Sequence, residues 1–132
     1  MQFYFIRHAQ STNNLLYQET QSVNGRSEDP GLTELGRQQV EYLAQFLSRS
    51  TPSPTWDGQD AQNTAGFGIT HLYTSLMIRA VTTGNLIAEA LGLPLVAWKD
   101  LHEEGGIYLA DDLGNPVGKP GKTRAFLAGN FP

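Results

Sequence analysis

Short apolar runs alternate along this chain with stretches of helical period, and that order constrains the fold more than any other feature. Residues 2 to 8 (QFYFIRH) form an aromatic and β-branched run ending in charge, the pattern of a buried strand entering a functional loop. From Thr33 to Ser48, Leu35, Val40, Leu43, Phe46 and Leu47 fall near helical spacing, with Leu32 just outside, Thr33 as the natural N-cap and Glu34 in the first turn. The segment from Ser50 to Gly68 is rich in Pro, Ser, Gly, Asp and Asn and has no sustained period, so it reads as a long surface loop. A second strand follows at 69 to 74 (ITHLYT). Ser75 then opens a helix to about Glu89, ended by Gly92 with Pro94 close behind. PLVAW at 94 to 98 supplies a third strand; the remainder is Gly-rich and irregular, with a helical stretch around Thr123 to Ala128. Strand, helix, strand, helix, strand predicts an α/β layer fold with right-handed crossovers.

The 132 residues suit one domain and one core. Nine Lys plus Arg against thirteen Asp plus Glu give a net charge of -4, so no global basic field exists to hold a nucleic acid or an anionic membrane, although a local site can still concentrate arginines. With no Cys, disulfides, thiolate zinc sites and a cysteine nucleophile are excluded. No basic leader precedes the short apolar run at the N-terminus, and the expected location is cytoplasmic.

Ligands of open parallel sheets bind beyond the carboxyl ends of the strands. There the first strand ends in Arg7-His8, the second runs into Ser75 and Arg79, and the third leads to His102-Glu103-Glu104. A histidine, two guanidinium groups and a carboxylate suit a phosphoryl ester. A neutral imidazole at His8 can attack phosphorus and divide one displacement into two. Arg7 and Arg79 can grip the equatorial oxygens, and Glu103 (or Glu104), beside a phosphate dianion, can hold the proton the leaving alkoxide needs. The scheme calls for no metal or cofactor.

Blander readings stand beside each residue. An Arg-His pair at a strand end is more often a surface or structural pair, Arg79 could pair with Glu34 or Asp100 at the surface, Glu103-Glu104 could be a solvated loop, and His71 reads as a structural or surface histidine. The histidines lack the i, i+4 pair of a zinc helix. Gly66-Phe67-Gly68 precedes a strand and fails as a dinucleotide fingerprint, and Gly121-Lys122-Thr123 lacks the first P-loop glycine, Pro116 standing there.

Four segments together resemble the histidine phosphatase superfamily, the phosphoglycerate mutase-like proteins. Arg7-His8-Ala9-Gln10-Ser11 with Asn14 is similar to the family's Arg-His-Gly-Glu-Ser...Asn signature. Gly25, then Asp29 and Leu32-Thr33-Glu34-Leu35-Gly36 with Gln38 and Gln39, resembles its Leu-Thr-x-x-Gly-x-x-Gln helix start. Tyr73 to Ala80 with Thr82 and Thr83 resembles its second arginine motif, and Leu101-His102-Glu103 with Gly105 its acid loop. The resemblance implies a three-layer α/β/α fold with a mostly parallel sheet. It further implies His8 as the phosphorylated nucleophile, Glu103 as proton donor, Arg7 and Arg79 on the phosphoryl group, and Asn14 and Gly25 near the bound phosphate. Ala9 and Gln10 depart from the pattern and favour a phosphatase over a sugar-phosphate mutase.

The family also carries a second histidine, in a His-Gly pair, and no histidine follows Glu104 here. The expectation is a single domain over 1–132 that is incomplete, the N-terminal part of a longer phosphatase, whether an experimental truncation or a shortened natural chain. Losing that donor should slow this piece by about 100-fold to 1000-fold. The strand implied to bear it lies between the first strand and the one containing Tyr73, so a homodimer through the exposed sheet edge is expected. The function expected of the whole protein is hydrolysis of a small phosphomonoester through a phosphohistidine. The alternatives are a phosphoglycerate or related sugar-phosphate mutase, a non-catalytic phospho-ligand binding module, and a P-loop nucleotide protein.

Overall fold

Thr33 opens the helix that carries most of the core. In the computed structural model, which describes residues 2–49, 63–102 and 106–131, its hydroxyl oxygen accepts the Gly36 N–H at 2.9 Å, starting α2 (Glu34–Leu47). Gly36, Val40, Ala44 and Leu47 are its buried positions, a single stripe at helical spacing. α3 (Ile78–Leu91) packs against α2, with Ile87 joining Val40, Ala44 and Leu47 in one cluster. Gly92 ends α3 in the left-handed region at φ 63°, with Leu93 N–H donating to Ala88 at 3.1 Å and Gly92 N–H to Glu89 at 3.3 Å. This closure needs a residue without Cβ strain, and Pro94 then bars continuation.

Burying a large aliphatic side chain contributes about 1.5–3 kcal/mol. The exposed Lys99–Asp100 pair, at 3.8 Å, belongs to a class worth about 0–1 kcal/mol. Burial of the side chains shared by the two helices therefore outweighs that pair.

β1 (Leu72–Thr74) and β2 (Leu95–Ala97) are parallel neighbours with Tyr73 opposite Val96, and α3 is their crossover. Trp98 N–H donating to Thr74 C=O at 2.8 Å carries the pairing past the strand ends. Gly84 lets α3 lie on these strands, since a Cβ there would stand 2.9 Å from Leu95 Cδ1. β3 (Tyr108–Ala110) and β4 (Pro116–Gly118) form an antiparallel hairpin, followed by α4 (Arg124–Asn130) capped by Thr123. The α/β class holds, with small sheets that are parallel only in part.

Several elements differ from expectation for physical reasons. Residues 2 to 8 form no ladder; among the described residues they are held by side chains, Tyr4 donating its hydroxyl to Asn63 Oδ1 at 2.6 Å and meeting Phe67 edge-on. A strand is made by its neighbours, and among the described residues no ladder partner stands beside this run. The third helix begins at Ile78 instead of Ser75, because the Ser75 hydroxyl closes a local turn on Met77 N–H at 3.3 Å. The polar stretch after Ser11 is a helix, α1 (Thr12–Thr20), started by a reciprocal capping box between Ser11 and Asn14. Residues 50–62 of the expected long loop lie outside the described residues. No helix among the described residues is long and apolar enough to cross a membrane.

The unforeseen hairpin turns on Asp111. Its Oδ1 accepts Asn115 N–H at 2.8 Å and Leu113 N–H at 2.9 Å, while Gly114 takes φ 83°. The Asn115 backbone and side-chain hydrogen bonds hold this carboxyl below its ordinary 3.8. A depressed acid stabilises the fold above its unfolded value and loses that contribution as pH falls through the folded one. The Leu113 and Asn115 amides should therefore lose exchange protection below about pH 4 at a pH where the α2 and α3 amides keep theirs. Asp111→Ala should show the same loosening at neutral pH.

Candidate active site

The nucleophile candidate is oriented by its own backbone. His8 Nδ1 lies 2.7 Å from the Ala9 carbonyl oxygen. A carbonyl only accepts, so this contact requires hydrogen on Nδ1, which in the neutral ring leaves the lone pair on Nε2.

The chain then crosses two helices. Ala9 N–H donates to Thr83 Oγ1 at 3.4 Å, and the Thr83 hydroxyl donates to the Arg79 carbonyl at 2.8 Å. Two hydrogen bonds thus join the residue after His8 to the backbone of Arg79. Gln10 is tied to α2: its carbonyl accepts Thr33 N–H at 3.0 Å and its N–H donates to Gln39 Oε1 at 3.0 Å. Ser11, 2% exposed, forms an isolated antiparallel bridge with Leu32.

Asn14 uses its carbonyl oxygen in the cap, accepting Ser11 N–H at 2.9 Å and the Ser11 hydroxyl at 2.8 Å. Its amide nitrogen has no such role and is a donor on an exposed side chain. Gly25 takes φ 84°, open to glycine without strain, in the loop that Asn13 holds by accepting Ser27 N–H at 2.9 Å and donating to Ser27 C=O at 2.7 Å. Farther along, Asp29 Oδ1 accepts the N–H of Ile78 at 2.9 Å, one residue before Arg79.

These bonds stitch the segments bearing His8, Asn14, Gly25 and Arg79 into one framework. Arg7 beside them is exposed. The parallel pairing of β1 and β2 sends Ser75 and Trp98 off the same end of the sheet, His102 follows in the chain after Trp98, and Glu103, the expected acid, lies outside the described residues. His71, expected to be a structural or surface histidine, is exposed with Nδ1 2.9 Å from Thr70 Oγ1.

Asn13, Asp29 and Thr83 were not singled out by chemistry, although Asp29 and Thr83 stand inside the motif segments. Arg26 was also missed; it is half-buried, its guanidinium 5.4 Å from the Tyr108 ring centroid, and its Nε is buried without a hydrogen bond, like Asp29 Oδ2. The open groove of about 360 Å³ between α2 and α3 shares no residue with this set, and Glu41 and Glu89 on its wall make it unsuited to a phosphate dianion. No group of three or more His, Asp or Glu side chains able to hold a metal occurs among the described residues.

The α/β scaffold thus joins the residue that follows an oriented imidazole to the backbone of Arg79 in the first turn of α3. The model of the histidine phosphatase superfamily (branch 1) matches residues 3–56 and 59–108, and the chain belongs to that family. Two relatives named "Probable phosphoglycerate mutase GpmB", from Yersinia pestis (strain Pestoides F) and Yersinia pseudotuberculosis serotype O:1b (strain IP 31758), are each 29% identical over 103 residues. Those residues are 78% of this chain and 38% of each relative, so the chain spans well under half the length of the curated relatives it matches.

Proposed function

We propose that the protein hydrolyses a small phosphomonoester through a phosphohistidine on His8. The observation that carries this reading is the 2.7 Å contact of His8 Nδ1 with the Ala9 carbonyl, which leaves Nε2 as the nucleophilic nitrogen. Nε2 forms the new bond to phosphorus as the ester P–O bond breaks, and Glu103 delivers its proton to the leaving oxygen. Water then attacks the phosphorus of the phosphohistidine, Glu103 takes back a proton, and phosphate leaves with His8 restored. Arg7, Arg79 and the Asn14 amide supply positive charge and donors to the equatorial oxygens.

The relatives' printed name supports a second reading, in which a hydroxyl of a phosphoglycerate replaces water as acceptor. Phosphoglycerate as substrate separates the two: released phosphate marks a hydrolase, an isomeric ester a mutase. Phosphate binding without any covalent step would mark a phospho-ligand binding module instead. The cytoplasmic location and a homodimer through the sheet edge remain part of this reading, and sedimentation across a range of concentration tests the dimer.

Quenching the reaction with a labelled phosphate ester tests the covalent step. Label is expected on His8, stable in base and lost in acid, as for a phosphorus–nitrogen bond. Turnover with no such label at any quench time would reject the mechanism.

A further inference from the structure

At the N-cap of α3 the Met77 side chain accepts from Arg79 Nη2 at 3.1 Å and caps none of the first N–H groups of the helix, which have no intrahelical acceptors. The acceptor comes from 49 residues earlier in the chain: Asp29 Oδ1 takes the Ile78 N–H at 2.9 Å. Ile78 is the first residue of α3 and Arg79 the second. Asp29 is itself held in place, since Ser27 Oγ accepts its N–H at 3.3 Å and Asn13 clamps Ser27. Pro30 beside it is buried. The other carboxylate oxygen of Asp29, Oδ2, is buried without a hydrogen bond.

We infer that Asp29 is a positioning residue for phosphoryl binding: by capping α3 from the Gly25 loop, it fixes the first turn of that helix and with it Arg79. The inference rests on the phosphoryl-transfer reading above. The same hydrogen bond sets the Gly25 loop and Arg79 at a constant separation, so one carboxylate orients two parts of the site.

The test measures binding of inorganic phosphate by this chain, by NMR titration, together with kcat and KM for p-nitrophenyl phosphate, in four variants. Asp29→Ala should weaken phosphate binding about tenfold, the scale of a lost helix cap. Asp29→Asn keeps an oxygen acceptor for the Ile78 N–H and should stay within about threefold of wild type. Ile78→Pro removes the donor at the one helix position where proline is well tolerated, and should weaken binding about as much as Asp29→Ala. The double variant Asp29→Ala with Ile78→Pro should then lose no more than either alone.

A merely structural cap would lower the unfolding midpoint while leaving the phosphate affinity of the folded protein unchanged. That result, or equal losses for the Asn and Ala variants, would overturn the inference and leave the functional reading standing. Wild-type protein that neither binds phosphate nor turns over the ester would overturn both.

Discussion

Replacing His8 by alanine is expected to lower hydrolysis of p-nitrophenyl phosphate by roughly 10⁴-fold or more, with no covalent label left on the protein. Effects of that size follow loss of a nucleophile, because the residual rate then comes only from binding and charge stabilisation. The backbone of Arg79 is tied through Thr83 to the backbone N–H of Ala9, a link that alanine at position 8 leaves intact. Phosphate binding should therefore survive in His8→Ala while turnover disappears. His8→Asn sharpens the comparison, since its amide keeps a hydrogen-bond donor for the Ala9 carbonyl but offers no nucleophilic nitrogen. Turnover retained in both variants would remove His8 from the chemistry.

Gly36→Ala is expected to be the most damaging methyl in the described part of the chain. Gly36 is buried in the first turn of α2, and a Cβ there would overlap the backbone carbonyl of Gln10. Backbone on both sides leaves no flexible side chain to yield. Alanine gains about 1 kcal/mol of helix propensity over glycine, yet forcing a methyl into a filled space typically costs about 1–3 kcal/mol, and more where backbone must move. Against a total stability of about 5–15 kcal/mol, the net loss should appear as a clear fall in the denaturant midpoint. The Gln10 carbonyl also accepts Thr33 N–H at 3.0 Å, so the displacement would reach Ala9 and His8. Gly31→Ala is the control: a Cβ there meets nothing within 4 Å, and the midpoint should stay level or rise slightly. Equal midpoints for the two variants would show that the close approach of α2 to Gln10 is absent in solution.

The core was legible in part, where it rests on local rules: of the apolar positions expected in α2, Val40 and Leu47 are buried, while Leu35 and Phe46 are exposed. Thr33, the spacing from Val40 to Leu47, and Gly92 before Pro94 fixed α2 and the end of α3, and the structure places the caps at those residues. The α1 capping box could have been found from Ser11 and Asn14, but the helix has no buried residues, so its period left no apolar trace. The hairpin is similar: Gly114 in a five-residue loop between YLA and PVG is a turn signal, yet β4 is exposed throughout. Of the site, the motif residues were visible by type and order, whereas the hydrogen bonds of Asp29 and Thr83 that connect them span 49 and 74 residues. No local pattern encodes contacts of that range. The ladder expected for residues 2 to 8 failed for the converse reason, because a strand-like run says nothing of which chain stands beside it.

That run has a consequence for dynamics. Phe5 is 97% and Phe3 70% exposed, and Tyr4 is the aromatic anchor between them, through Asn63 and Phe67. Beyond it, Ala9 N–H and the Gln10 carbonyl are bonded to α3 and to Thr33 at the start of α2. The imidazole of His8 thus marks the seam between two regimes of local stability: a leading peptide whose described ties run through the Tyr4 ring and hydroxyl and the Gln2 amide, and a following loop bonded into both helices.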